Sequence, residues 1–119
     1  MTYTQFREIV LSLGDYPDQS EQSLELFIHE RGWQEWMDGY YDESGKTDRI
    51  TPILQAVWQM RGNPIKGIKK ATKHTNESLS LTYGIPRRTV EDWARGVREC
   101  PAYTSTMLAY CVFADKGII

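Results

Sequence analysis

The sequence predicts an all-α fold, a bundle of short helices, and three observations lead to this prediction. Apolar residues recur three and four positions apart in each segment long enough to show a period. No segment shows the strict apolar and polar alternation of a half-buried strand. Glycine, proline and short polar runs divide the periodic segments, as they do between helices. At 119 residues the chain is also long enough to bury a core without disulfides or metal ions.

The first helix is predicted from Thr2 to Leu13, because its apolar side chains fall on one helical face. Gly14 is predicted to end it, since glycine adopts the positive φ of a helix C-terminus at little cost. The segment from Asp15 to Asp18 contains Pro17 and is predicted to form a turn.

A second helical run is predicted from about Gln19 to Tyr40, and Gly32 can divide it into two helices. Aromatic side chains cluster in this run at helical spacing. They can belong to the core, or they can form a surface that binds a protein partner through residues 20–45. The clustered residues are Trp33, Trp36, Tyr40 and Tyr41.

A domain boundary is predicted in the polar segment from Asp42 to Thr47. It divides an acidic, aromatic-rich helical extension, residues 1–47, from a second domain, residues 48–119. The second domain begins with a helix predicted from Asp48 to Arg61, which the sequence Gly62-Asn63-Pro64 ends.

The next helix is predicted from Pro64 to about Lys73, and its lysines give it a basic face. That face can meet phosphates or can simply be solvated. The last helix is predicted from about Pro101 to Ala114. Its apolar residues at helical spacing include Met107, Leu108, Cys111 and Val112.

The segment between these two helices, Thr75 to Gly96, predicts two short helices joined by a tight turn. Gly84 stands where the chain must turn sharply, and Ser80 is small where the helices would approach each other. Thr75 can cap the first helix. Pro86 suits the first position of the second helix, and Gly96 suits its end. The apolar residues that would close one helix on the other are Leu79, Tyr83, Ile85, Val90 and Trp93.

This segment resembles the helix-turn-helix of the Cro and phage-repressor family, and the resemblance covers roughly Ile65 to Tyr110. It implies that the helix at 86–95 lies in the major groove of DNA and that Arg87, Arg88 and Asp92 read bases. Arginine can donate two hydrogen bonds to guanine, worth about 1 to 3 kcal/mol of discrimination. Asp92 is acidic at such a position, so it can accept from a cytosine amino group, pair with Arg88, or oppose binding.

The resemblance also implies contacts to the DNA backbone and a two-fold assembly. Backbone N–H groups at the start of the first helix would hold a phosphate. The implied assembly is a homodimer on an inverted repeat, and the implied function is transcriptional repression. The residues expected to contact phosphates are Thr75, Asn76, Lys70, Lys73, Thr89, Arg95 and Arg98.

Charge is distributed unevenly along the chain. Residues 1–60 carry four Lys and Arg against eleven Asp and Glu, 4 − 11 = −7, whereas residues 61–119 carry ten against five, 10 − 5 = +5. The net charge of −2 therefore hides a basic half. A basic half around the predicted reading helix is typical of double-stranded DNA binding.

An alternative function uses the acidic half instead. A small anti-defence inhibitor from a phage or mobile element could bind a nucleic-acid-handling effector through that surface.

Other functional classes lack their motifs. There is no glycine-rich phosphate loop and no recognisable catalytic arrangement, so we expect neither an enzyme nor a cofactor. Cys100 and Cys111 show no metal-ligand or redox spacing and are expected to be free, buried thiols. No apolar run is long enough for a signal peptide or a membrane span, so the protein is expected to be cytoplasmic.

Overall fold

The structure, a computed structural model, describes residues 1–32 and 48–119. Helices and short turns account for this part of the chain, and it contains no strand, so the all-α prediction is confirmed there. None of the described helices is both long enough and apolar enough to cross a membrane. The helices are α1 (Tyr3–Ser12), α2 (Glu21–Arg31), α3 (Ile50–Gln59), α4 (Pro64–Thr72), α5 (Asn76–Tyr83), α6 (Arg87–Arg95) and α7 (Ala102–Asp115).

Helix α1 begins as predicted and ends differently. Thr2 and Gln5 form a capping box, with Thr2 Oγ1 accepting from the Gln5 N–H at 3.2 Å and Gln5 Oε1 accepting from the Thr2 N–H at 2.9 Å. Helix α1 ends at Ser12 with Leu13 as its C-cap, one residue before the predicted Gly14, and Gly14 does not adopt a positive φ. The chain then tightens into a 3₁₀ turn, Leu13–Asp15, and the Leu13 N–H donates to the Val10 carbonyl in the last turn of the helix.

Helix α2 covers the described part of the second predicted run. The Ser20 hydroxyl accepts from the Ser23 N–H at 3.2 Å and caps its start. The helix ends at Arg31 with Gly32 as its C-cap, and the second half of the predicted run lies outside the described residues. The aromatic cluster of Trp33, Trp36, Tyr40 and Tyr41, the boundary segment 42–47 and most of the proposed partner-binding stretch 20–45 lie outside the described residues.

Aromatic contacts hold α2 against α3. The Phe27 ring lies 5.2 Å from both Tyr16 and Trp58, centroid to centroid. The Arg61 guanidinium lies 4.3 Å from the Trp58 ring, at the distance of a cation–π contact. These four side chains cover one end of the core.

One hydrophobic core includes side chains from residues 1–32 and from residues 48–119. Phe6 of α1 meets Phe113 of α7 edge to face, with ring centroids 6.0 Å apart. The Tyr110 hydroxyl donates to the Met1 carbonyl at 2.7 Å and fixes the N-terminus on α7. The described part of the acidic extension therefore packs on the helices that follow. The largest fully buried side chains include Phe6, Phe27, Ile53, Leu54, Ile68, Leu79, Val90 and Phe113.

Helices α3 and α4 approach each other backbone to backbone at Gly67. Gly67 of α4 is buried, and a Cβ built on it would lie 2.6 Å from Met60 Cα and closer still to the Gln59 carbonyl. The two backbones therefore touch, which a side chain at this position would prevent. Gly62, with φ +79°, turns the chain between the two helices.

Helix α7 buries only part of the predicted apolar set, Leu108 and Val112. Met107 is 51% exposed and Cys111 is exposed, whereas Ala109 and Val112 are fully buried. Because apolar residues surround this helix on all sides, their spacing does not identify the buried face. Both cysteines are free, as expected, but Cys111 lies on the surface and Cys100 is only half-buried, so the prediction of buried thiols is wrong.

Candidate functional site

The turn between α5 and α6 has the conformation that the sequence predicts. Gly84 adopts φ +69° directly after α5. The Ile85 N–H donates to the Ser80 carbonyl at 3.2 Å, and the Ser80 hydroxyl donates to the Ile85 carbonyl at 2.6 Å. These two bonds satisfy backbone groups on both sides of the turn and fix the direction in which α6 departs.

Apolar contacts close α6 on α5. Leu79 is fully buried and Val90 is 1% exposed, while Tyr83, Ile85 and Trp93 are partly buried and pack on the core. The predicted apolar set therefore joins the two helices, and the opposite face of α6 remains at the surface.

The start of α5 offers backbone donors. Thr75 and Ser78 form a capping box, with Thr75 Oγ1 accepting from the Ser78 N–H at 3.1 Å and Ser78 Oγ accepting from the Thr75 N–H at 2.9 Å. The N–H groups of Asn76 and Glu77 have no acceptor within the described residues. Asn76 Oδ1 is buried and has no hydrogen-bond partner there either. Free N–H groups at a helix start can bind an anion.

Pro86 precedes α6 instead of occupying its first helical position. It has φ −53° and ψ 132°, an extended conformation, and the helix begins at Arg87. This corrects the predicted range of 86–95 by one residue, since a proline at the cap supplies no side-chain hydrogen bond and its ψ is not helical. Arg87 and Arg88 thus open the helix, and both are exposed.

The charged side chains of α6 differ in how they are paired. Arg87 Nε lies 3.0 Å from Glu91 Oε1 in an i, i+4 ion pair. Asp92 lies 3.9 Å from Arg98 Nε, so its ion pair is with Arg98 and not with Arg88. The Arg98 guanidinium also donates to the Thr89 hydroxyl at 3.4 Å. Arg88 has no hydrogen bond or ion pair within the described residues and is free to meet a ligand.

The structure places all the predicted site residues except Lys70 on α5 and α6 or within three residues of them. Lys73 adopts a left-handed conformation, φ +61°, directly before the α5 cap. Arg95 is exposed in the last turn of α6. Lys70 instead lines a cavity of about 300 Å³ with Ser20 and Glu21 at the start of α2. Lys70 therefore lies beside residues of the acidic half of the chain and apart from the other predicted site residues.

Asn63 is a positioning residue that the sequence pattern did not reveal. Its Oδ1 accepts from the Ile65 and Lys66 N–H groups at 3.1 and 3.2 Å, which caps α4. Its Nδ2 donates to the Trp93 and Ala94 carbonyls at 3.0 and 3.2 Å, which caps the end of α6. An asparagine followed by proline is a typical N-cap and could have indicated the first role. The second role depends on tertiary structure.

His74 and Tyr83 form a small polar cluster between α5 and the end of α7. His74 Nδ1 lies 2.7 Å from Ser78 Oγ, and the Tyr83 hydroxyl donates to Asp115 Oδ2 at 2.7 Å. Burial, and then the charge of Lys116, lower the pKa of His74 below 6.5, although Asp115 opposes this shift. Burial and Asp115 together raise the pKa of Tyr83.

We expect acidification to weaken the fold through His74. Its pKa is lower in the folded protein than in the unfolded chain, so the unfolded chain takes up the proton first as the pH falls. The contribution is complete above pH about 6.5 and declines as the pH falls through the lowered pKa. Urea denaturation at pH about 7.5 and about 5.5 should show a larger loss for the wild type than for His74→Gln. Equal losses would contradict this assignment, because all other titrating groups are common to both proteins.

No protein-family model, curated protein or solved structure matches this chain. Within residues 1–32 and 48–119, no three His, Cys, Asp or Glu side chains are grouped in a way that could hold a metal ion. The α5–α6 surface is thus the candidate site on its own geometry and charge.

Proposed function

We propose that the protein is a sequence-specific DNA-binding transcriptional regulator, a repressor, and that α5 and α6 form its helix-turn-helix. One observation carries the proposal: α6 closes on α5 through its apolar face and carries in its first turn an exposed arginine, Arg88, that has no partner in the described structure. An arginine at the start of an exposed helix can reach guanine in the major groove.

The distribution of charge supports this proposal. Two arginines in the first turn of α6 lie at the positive end of the helix dipole, where they are unfavourable without an anionic ligand. The Arg87 and Glu91 pair relieves part of this cost, and DNA phosphates would relieve the rest. Arg95 and Lys73 extend the positive charge on either side.

Asp92 does not oppose this function, because Arg98 compensates its charge. The Asp92 side chain is only 17% exposed and faces Arg98 at 3.9 Å. We propose that this pair sets the edge of the base-reading surface, with Arg88 and Arg87 at its centre. The free N–H groups of Asn76 and Glu77 would hold a phosphate of the same duplex.

Two copies of the chain would read an inverted repeat in this proposal. A single α6 offers few base contacts, and a two-fold pair places two such helices about one turn of DNA apart. The two-fold symmetry of the selected DNA sequence tests this assembly.

Selection of bound DNA from a random pool, repeated at two salt concentrations, tests the proposed function. We expect a consensus sequence with two-fold symmetry that survives at the higher salt concentration. Enrichment of no sequence, or binding that salt abolishes equally for every sequence, would overturn the proposal.

Replacing Arg88 should relax base preference more than replacing Arg87. Arg88→Ala is expected to cost about 1 to 3 kcal/mol on the selected site, because it removes an unpaired guanine-reading group. Arg87→Ala also frees Glu91 and should show a smaller change in preference. Arg95→Ala is the control for a phosphate contact, and it should weaken binding to all sequences and reduce the salt slope by about 1. Fluorescence anisotropy on the selected site and on a scrambled site measures both effects.

A further inference from the structure

A cleft of about 440 Å³ lies behind α6, between the end of α1, the turn from Gly62 to Pro64, and the start of α7. Its volume lies in the range of about 300 to 1,000 Å³ that small-molecule sites occupy. The end of α6 forms one of its walls through Trp93 and Gly96. Neither Arg87 nor Arg88 lines the cleft, whereas Arg98, at the edge of the proposed DNA-reading surface, does.

Part of the cleft lining is apolar. Val10, Leu13 and Met60 line it together with the Trp93 ring. Cys100 adds a thiol that stays protonated, because burial raises its pKa to about 11. The cleft therefore suits the aromatic or branched body of a small molecule.

Charged side chains at the rim of the cleft determine which ligand charge is favoured. Arg98 lies there with its side chain 57% exposed, and its contacts to Asp92 and Thr89 are long, 3.9 and 3.4 Å. A carboxylate can replace those loose contacts with a shorter bidentate pair. Glu99 lies on the same rim and repels a second negative charge.

We propose that this cleft binds a small monocarboxylate with an aromatic or branched aliphatic body. The body packs against the apolar part of the lining, and the carboxylate pairs with Arg98. Ser105 and Thr106 line the cleft, and their hydroxyls already donate to the Ala102 carbonyl at 3.0 and 2.8 Å. They can only accept from the ligand without losing those bonds, so they do not attract a second anionic group.

Ligand binding at this site would change the DNA-reading face. A carboxylate that captures Arg98 leaves Asp92 without its ion-pair partner, so the negative charge on α6 is no longer compensated. The ligand therefore lowers DNA affinity, and DNA lowers ligand affinity by the same factor. This last step rests on the proposed DNA-binding function, whereas the ligand site does not.

The probes that test the site share a phenyl ring and differ in the charge of the attached group. Phenylacetate, phenylacetamide and phenylphosphonate are titrated into the ¹⁵N-labelled full-length chain, and the signals of Trp93, Gly96 and Ala102 are followed by NMR. We expect phenylacetate to bind at one site, about tenfold more tightly than the neutral amide and more tightly than the dianion. Equal affinity for acid and amide, tighter binding of phenylphosphonate, or shifts confined to other surfaces would overturn the proposal.

Three variants separate the cleft from other surfaces. Arg98→Gln should reduce phenylacetate affinity to that of phenylacetamide. Ala102→Trp, at an exposed position on the rim, should block both probes without entering the core. Lys116→Gln removes a cation at the far end of α7 and should leave both affinities unchanged. Undiminished phenylacetate binding by Arg98→Gln or Ala102→Trp would overturn the assignment.

A binding experiment with DNA distinguishes a failure of the ligand site from a failure of the proposed function. Phenylacetate should weaken binding of the selected DNA to the wild type by the same factor by which DNA weakens phenylacetate. If no DNA is selected, the proposed function fails, and the NMR titration of the free protein still decides the ligand site.

Discussion

Gly67→Ala is expected to destabilise the protein by about 2 to 3 kcal/mol, the cost of overpacking a close-packed interior. Its Cβ would lie 2.6 Å from Met60 Cα, which is backbone and cannot rotate away. Alanine is the better helix former by about 1 kcal/mol, and the clash outweighs this gain because α3 and α4 must separate. Urea denaturation measures the change through the midpoint and slope.

Gly14→Ala is the matched control for Gly67→Ala. Gly14 is exposed, its φ is not positive, and nothing lies within 4 Å of a Cβ placed on it. The same chemical change there should leave stability unchanged or raise it slightly, by about 0.4 to 1 kcal/mol. If Gly67→Ala also unfolds at or above the wild-type midpoint, α3 and α4 do not cross in direct contact.

Separating α3 from α4 is also expected to disturb the candidate site. Separating α3 from α4 displaces the turn that carries Asn63, and Asn63 holds the end of α6 through two hydrogen bonds. Gly67→Ala should therefore weaken DNA binding even though Gly67 lies outside the proposed DNA-reading surface. The stability defect and the binding defect share one cause.

The sequence predicted the α5–α6 turn well because its determinants are local. A glycine with φ +69° and a threonine cap each depend on a few neighbouring residues, and both are found where expected. Gly67 offered no turn or cap signal of this kind, since its importance arises from the close approach of two helices. A glycine inside a helical pattern is itself an indication of close packing, and it could have been used.

Charge pairing and buried faces were harder to predict for the same reason. The sequence left three roles open for Asp92, and the structure pairs it with Arg98, which lies beyond the end of α6. Met107 and Cys111 follow a helical period, but α7 is apolar on every side, so only tertiary contacts decide which face is buried. Local sequence patterns therefore predict the helices, whereas the packing of the helices against one another decides which side chains pair and which are buried.

Asn63→Ala is expected to cost about 2 to 4 kcal/mol, because one side chain caps two helices. Loss of an N-cap costs about 1 kcal/mol, and each of the two bonds to the Trp93 and Ala94 carbonyls contributes about 0.5 to 1.5 kcal/mol. Thr75→Ala is the matched control, since Thr75 caps α5 and makes no bond to another helix. It should cost only about 1 kcal/mol.

Two further substitutions at position 63 separate the contribution of the α4 cap from that of the two hydrogen bonds to α6. Asn63→Ser retains the acceptor that caps α4 and loses the amide donors, so it isolates the link to α6. Asn63→Asp also retains the cap, but it turns a carboxylate oxygen towards the two carbonyls of α6, and should be less stable than the serine variant. Equal stability of the serine, aspartate and wild-type proteins would show that the bonds to Trp93 and Ala94 contribute nothing. Because the serine variant preserves α4, any accompanying loss of DNA affinity would arise from the position of α6, which links this half-buried amide to the proposed reading surface.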